Sequence, residues 1–178
     1  MLIQKYQESW IADFNAIRKI LDETLKNLNV SIEHIGSTSV PELAAKPIID
    51  IDIIIDNYQS FPDVKQALES IGYYHNGNQG IENREVFKRA KLFNHSILDS
   101  ITHHLYVCPI DSEELQKHIC FRDYLIANAD ARIAYQNLKY EIAKQANQDK
   151  KTYAALKESI AKEFIAGVIE KAKKGQNL

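Results

Sequence analysis

Apolar residues recur along this chain with two periods, and the places where one gives way to the other mark its elements. From Tyr6 to Leu28, Trp10, Phe14, Ile17, Leu21, Leu25 and Leu28 fall three or four residues apart, the spacing of one apolar helix face. Asn27 and Asn29 are expected to end that helix, and Val30–Ile35 follows as a strand that stops at Gly36-Ser37. Pro47 opens a second apolar run, in which Ile48, Ile49, Ile51, Ile53, Ile54 and Ile55 are all β-branched. That run predicts a buried strand rather than a helix. Ser60 and Pro62, an N-cap and an early-helix proline, start a helix through Val64, Leu68 and Ile71 that ends at Gly72. Short strands are expected at residues 73–76, 85–89 and 101–108, with an exposed turn from Asn76 to Gly80.

Beyond Pro109 the pattern turns helical. Asp111-Ser112-Glu113-Glu114 reads as a helix start, with acids suited to the N-terminal dipole, and the helix continues through Leu115, Ile119 and Leu125. A second helix carries Tyr135, Leu138 and Ile142, and a third, near residues 151–173, carries Tyr153, Leu156, Ile160, Phe164 and Val168. The tail KAKKGQNL is expected to fray. The order predicts an α+β fold in one domain over residues 1–178. A mixed or antiparallel sheet with helices packed on one side fills about residues 1–110, and a helical part, 111–178, packs on it. No repeat, low-complexity stretch or linker divides the chain.

The second apolar run carries two acids, Asp50 and Asp52. Side chains alternate along a strand, so both project to the same side, together with Ile48 and Ile54, which implies that this side is partly covered. Two carboxylates on a covered surface repel and lose hydration unless a cation or hydrogen-bond donors compensate. An oxygen-rich pair favours Mg2+, Mn2+ or Ca2+ over zinc, and Mg2+ or Mn2+ is the cofactor expected here. The plain alternative is a half-buried strand whose acids face water. Gly36-Ser37 shifts the balance, because a glycine after a strand lets the backbone turn tightly toward a ligand. Amides and hydroxyls of Ser37, Thr38 and Ser39 can then donate to phosphate oxygens.

At these residues the sequence resembles a known family. Gly36-Ser37 followed by Asp50-x-Asp52 on the next strand is similar to the signature of the nucleotidyltransferase fold, the polymerase-beta-like superfamily. HIGSTSVPELAAKP followed by IIDIDI resembles, more closely, the GrpB family, also called UPF0157. Trp10, Phe14, Gly72-Tyr73, HHLYV at 103–107, FRDYL at 121–125, and Tyr135 with Lys139 fall where that family has similar residues. The resemblance implies a nucleotidyltransferase-like mixed β-sheet with helices packed on it, followed by a C-terminal helical bundle. It also implies a metal-dependent transfer of a nucleoside monophosphate from an NTP to an acceptor hydroxyl, with Gly36 and Ser37 positioning the NTP and Asp50 and Asp52 holding the metal.

Two positions depart from the family pattern. Glu42 stands where the family usually has glycine after VP, and Tyr106 where a second histidine is expected. Nucleotidyltransferases commonly add a third carboxylate from a neighbouring strand, yet residues 102–107 hold His103, His104 and Tyr106 and no acid. His104 is the candidate general base or metal ligand, since an imidazole titrates near neutrality; its alternative is a structural histidine on the sheet. A one-metal or modified site follows more readily than a two-metal centre. Lys46, Arg122 and Lys139 are candidate phosphate contacts. Two have a bland alternative: a solvated loop lysine for Lys46, an ion pair for Arg122 with Asp123. His34, one residue before Gly36-Ser37, is either site support or a hydrogen-bonded structural group.

Composition narrows the classes. A net charge of −2 offers no global attraction to nucleic acid or anionic membrane, without excluding a local basic patch. The first ten residues lack the regions of a signal peptide, and no apolar run approaches a membrane span of about 20 residues. Cys108 and Cys120 form neither a metal cluster nor a disulfide framework, so they read as reduced thiols in a cytoplasmic protein. The expectation is a transferase binding a nucleotide and an acceptor. A non-catalytic nucleotide- or phosphate-binding protein on the same fold is the alternative.

Overall fold

The computed structural model describes residues 1–175. Its strands are β1 (Val30–Ile35), β2 (Ile49–Ile55), β3 (Tyr73–His75), β4 (Glu85–Arg89) and β5 (His103–Pro109). Its helices are α1 (Ser9–Thr24), α2 (Phe61–Ser70), α3 (Ser96–Ser100), α4 (Glu113–Ala127), α5 (Ala129–Gln145) and α6 (Lys150–Gly175).

β2 sits at the centre of the packing. Ile49, Ile51, Ile53 and Ile55 alternate with the acids and are all buried. They meet Trp10, Phe14, Ile17 and Leu21 of α1 and Val64 and Leu68 of α2 in one cluster. Each buried isoleucine contributes roughly 1.5–3 kcal/mol of transfer free energy, which fixes the strand's register and so aims Asp50 and Asp52 at the opposite face. The sheet runs β1-β2-β5-β4-β3 and is mixed. β1 pairs antiparallel with β2, whereas β5 lies parallel to β2, and β4 pairs antiparallel with β5. A parallel neighbour requires a long crossover, and residues 56–102, with α2, β3, β4 and α3, supply it.

Helices cover both faces, not the one side expected. α4 packs over the acid face, because His118 and Arg122 of α4 pair with Asp52 of β2 and Glu33 of β1. Other differences are local. α1 stops at Thr24, with Leu25 N–H closing onto Leu21 O. The Ser60 side chain makes no cap; Asn57 caps the preceding 3-10 turn instead, accepting from Gln59 N–H. α3 has no apolar periodicity and starts on the His95 side chain. Lys171 to Gly175 continue α6, and residues 176–178 of the expected frayed tail lie outside the described residues.

The loop between β1 and β2 joins the sheet to the helices. Its Val40, Leu43 and Ala44 are buried in a second cluster with Leu125, Tyr135, Ile142 and Tyr153. Its backbone is satisfied by α5: Gln136 accepts from Ala44 N–H at 2.7 Å, and Lys139 donates to Ala44 O. Among the described residues no helix is long and apolar enough to cross a membrane.

Candidate functional site

Gly36 ends β1 at a φ of 72°, and a Cβ there would lie 2.4 Å from Asp50 Oδ2. A glycine is required on both counts. The turn it opens, Ser37–Ser39, is a single 3-10 turn laid against β2. Ser39 Oγ donates to Gly36 O at 2.6 Å. Thr38 is buried and donates to Ile48 O, while accepting from His34 Nε2 at 3.1 Å. His34 itself stacks on Phe14 at 4.5 Å. Burial holds its imidazole down at about 4, with Asp50 pulling it up and Arg122 pulling it down. His34 is therefore a neutral brace for the turn.

Register places two rows of three residues across the acid face. Ile35, Asp50 and His104 form one row, and Glu33, Asp52 and Tyr106 the next. Asp50 Oδ1 accepts from His104 Nδ1 at 2.8 Å. A carboxylate oxygen accepts only, so Nδ1 carries the hydrogen and Nε2 of the neutral ring is left as a base. The His104 side chain is half exposed. Asp52 is fully buried, and its Oδ2 accepts from His118 Nδ1 at 2.8 Å. Burial opposes charge on His118, but hydrogen bonds to Asp52 and Glu114 outweigh it and push the imidazole up to about 9. The hydrogen bond to His118 in turn holds Glu114 down at about 2. α4 thus presents Glu114, His118 and Arg122 one turn apart along a single face.

The strand positions opposite the acid pair on β5 are His104 and Tyr106, so no third carboxylate comes from that side. Glu85 binds His75 and Tyr58, and Asp99 binds Arg89. Glu33 on β1 does lie directly across from Asp52, but Arg122 Nη1 holds it at 2.6 Å. Asp52 Oδ1 remains buried with no hydrogen-bond partner among the described residues. That orphaned oxygen, with Asp50 beside it, fits one hard divalent cation whose shell is completed by ligand oxygens. Among the described residues no three His, Cys, Asp or Glu side chains converge as a metal group, so the set does not fit a two-metal centre.

The expected phosphate contacts divide. Gly36 and Ser37–Ser39 lie at the acids. Arg122 donates to Glu33, His34 O and Asp123, bracing β1 against α4. Lys139 is buried, lies over the Tyr135 ring and holds Ala44 O; burial and the charge of Lys157 keep it well below an ordinary lysine. Lys46 lies over the Tyr153 ring at 4.5 Å. Lys157 of α6 was not singled out by sequence pattern. The charges of Tyr135, Tyr153 and Asp50 raise it above an ordinary lysine against the opposing effect of burial. Glu33, Glu114 and His118 were also missed, because nothing in their spacing shows which helix covers the acid face. Glu42 adopts a φ of 64°, the left-handed region in which glycine is at ease, and its carboxylate is engaged by Arg132 at 2.6 Å.

The mixed sheet, the glycine turn packed on a paired-acid strand and the following helices define a nucleotidyltransferase-like fold. Cid1 poly(U) polymerase in complex with the UTP analogue UMPNPP shares it, with a TM-score of 0.56 at 13% identity over 86% of this chain and 48% of that one. The chain belongs to the GrpB family: the family described as GrpB protein matches residues 1–167. The structure of conserved protein GrpB from Enterococcus faecalis superposes with a TM-score of 0.79 at 30% identity, covering 99% of each chain. UPF0157 protein YqkA of Bacillus subtilis is 30% identical over 97% of this chain, which spans only 48% of that relative. Glutamate-rich protein GrpB of Alkalihalophilus pseudofirmus is 29% identical over 93% of this chain and 94% of its own.

Proposed function

We propose that this chain transfers a nucleoside monophosphate from an NTP to an acceptor hydroxyl. The observation that carries this reading is the double role of Asp50, whose Oδ2 abuts the Gly36 turn while its Oδ1 orients His104. One carboxylate thereby couples a phosphate-binding turn to a base. The turn of residues 36–39 binds the phosphates, with Lys157 and Lys46 countering their charge from the helical side. His104 Nε2 takes the proton of the acceptor hydroxyl as its oxygen bonds to the α-phosphorus. The bridging bond to the β-phosphate breaks and pyrophosphate leaves. Asp50 and Asp52 would hold Mg2+ or Mn2+, which supplies charge neutralisation on the phosphates.

A second reading, nucleotide binding without transfer, is favoured by His104 and Tyr106 at the β5 positions opposite the acids. The test is calorimetry of ATP, GTP, CTP and UTP with and without either metal, against the Asp50→Asn/Asp52→Asn variant. Metal-dependent binding abolished in the variant is the expected result, and pyrophosphate release during an acceptor screen then separates transfer from binding. Failure of every NTP to bind in either metal would sink both readings.

A further inference from the structure

We infer that the cleft on the β4–β5 side of the acid pair receives the acceptor, and that the acceptor carries phosphate. The inference rests on the transfer reading above, and it names the substrate class that reading leaves open.

The cleft has a volume of about 760 Å³, within the range of sites that enclose a small organic ligand, and His104 and Tyr106 form part of its wall. It therefore opens onto the imidazole that Asp50 orients, on the side of β2 away from the Gly36 turn. Substrate entering here meets His104 from the side opposite the NTP phosphates. That is the arrangement an in-line displacement requires.

Charge sets the ligand class. Arg84, Lys88, Arg89 and Lys91 line the cleft, against one carboxylate, Asp99. Both oxygens of Asp99 are already engaged, one by Arg89 Nε at 2.8 Å and the other by His95 N–H at 2.6 Å. The chain as a whole carries −2, so this surplus of cations is local. Here Arg84 Nε is buried without a hydrogen-bond partner among the described residues, whereas Arg89 is committed to Asp99 and to Ile71 O. Buried charged donors left unmatched are costly and call for acceptor oxygens. The Arg84 guanidinium lies over the Tyr106 ring at 4.9 Å, which restrains its position in the cleft. A guanidinium so restrained beside lysines suits a phosphate, whose oxygens accept from a planar fork.

The test measures binding of ribose 5-phosphate, ribose and a 5′-phosphorylated hexaadenylate to the full chain, alongside ATP. Variants are Arg84→Gln and, because Arg84 is partly buried, Lys88→Gln/Lys91→Gln at two exposed positions. Circular dichroism checks folding. Ribose 5-phosphate is expected to bind where ribose does not, with Arg84→Gln weakening it about tenfold, the loss of one charge-assisted contact, and the double lysine variant by at least as much. ATP binding should stay within about twofold. Affinity rising from ribose 5-phosphate to the hexanucleotide assigns a nucleic-acid end as the source of phosphate, and equal affinity a phosphorylated metabolite. Equal binding of ribose and ribose 5-phosphate, or cleft variants that bind the phosphorylated probes normally, overturns the inference. Loss of the transfer reading registers separately, as absence of ATP binding in the unmodified chain.

Discussion

At the scale of single residues, the candidate site is a set of polar groups whose environments are set by what lies across the sheet. His34 is the simplest case. Its Nε2 donates to Thr38, and burial lowers it from the ordinary 6.5 to about 4. A histidine with a depressed value stabilises the fold above pH 6.5, and that contribution is lost as pH falls through about 4. His34→Gln keeps a donor for Thr38 and removes the titration. Urea unfolding between pH 6.5 and 4 should therefore show a smaller loss of stability in the variant, by on the order of 2–3 kcal/mol. Equal losses would mean that His34 stays solvated. Residue identity alone made the turn and the acid pair readable: Gly36 is needed for a positive φ, and Asp50 and Asp52 interrupt an isoleucine run. Lys139 was readable only as a cation. Its buried bond to Ala44 O depends on a loop ninety-odd residues away in sequence.

Elements are held together by the same polar residues. α4 crosses the acid face through two clasps, His118 on Asp52 and Arg122 on Glu33 and His34 O. Arg122→Met leaves a carboxylate and a carbonyl without their donor, an expected cost of about 1–3 kcal/mol. Arg122→Lys should recover only part of it, since a point charge does not reproduce the Nε bond to Asp123 together with the Nη1 bonds to Glu33 and His34 O. Denaturant midpoints of the three proteins decide it, and a midpoint unchanged in Arg122→Met would reduce the clasp to a screened surface pair. Element type and order followed from apolar periodicity, because burial of one face is a local, repeating demand on sequence. α3 escaped it, being a short helix capped by a histidine and carrying one buried residue, Leu98.

Over the whole molecule, the β1–β2 loop ties the sheet to the helices, and we expect one cooperative unit. Trp10, the single tryptophan, lies in the sheet cluster, whereas Leu43 packs among α4, α5 and α6. Tryptophan fluorescence and far-ultraviolet circular dichroism should trace one coincident thermal transition. Leu43→Ala should lower the stability seen by both probes together, by about 2–5 kcal/mol. Separate transitions would divide the chain near residue 110.

Sequence by itself determined the strands and most helices, the turn at Gly36 and the shared face of Asp50 and Asp52. Those depend on neighbours within a few residues: alternation, β-branching, a glycine where the chain must turn. Tertiary structure alone decided that α4 covers the acid face and that the register sets His104 level with Asp50 and Tyr106 level with Asp52. It also decided that Arg84 and Arg89 border the same site. Such pairings join residues tens of positions apart. Hydrophobic burial brings them together without regard to the polar chemistry they carry, so no local pattern announces them.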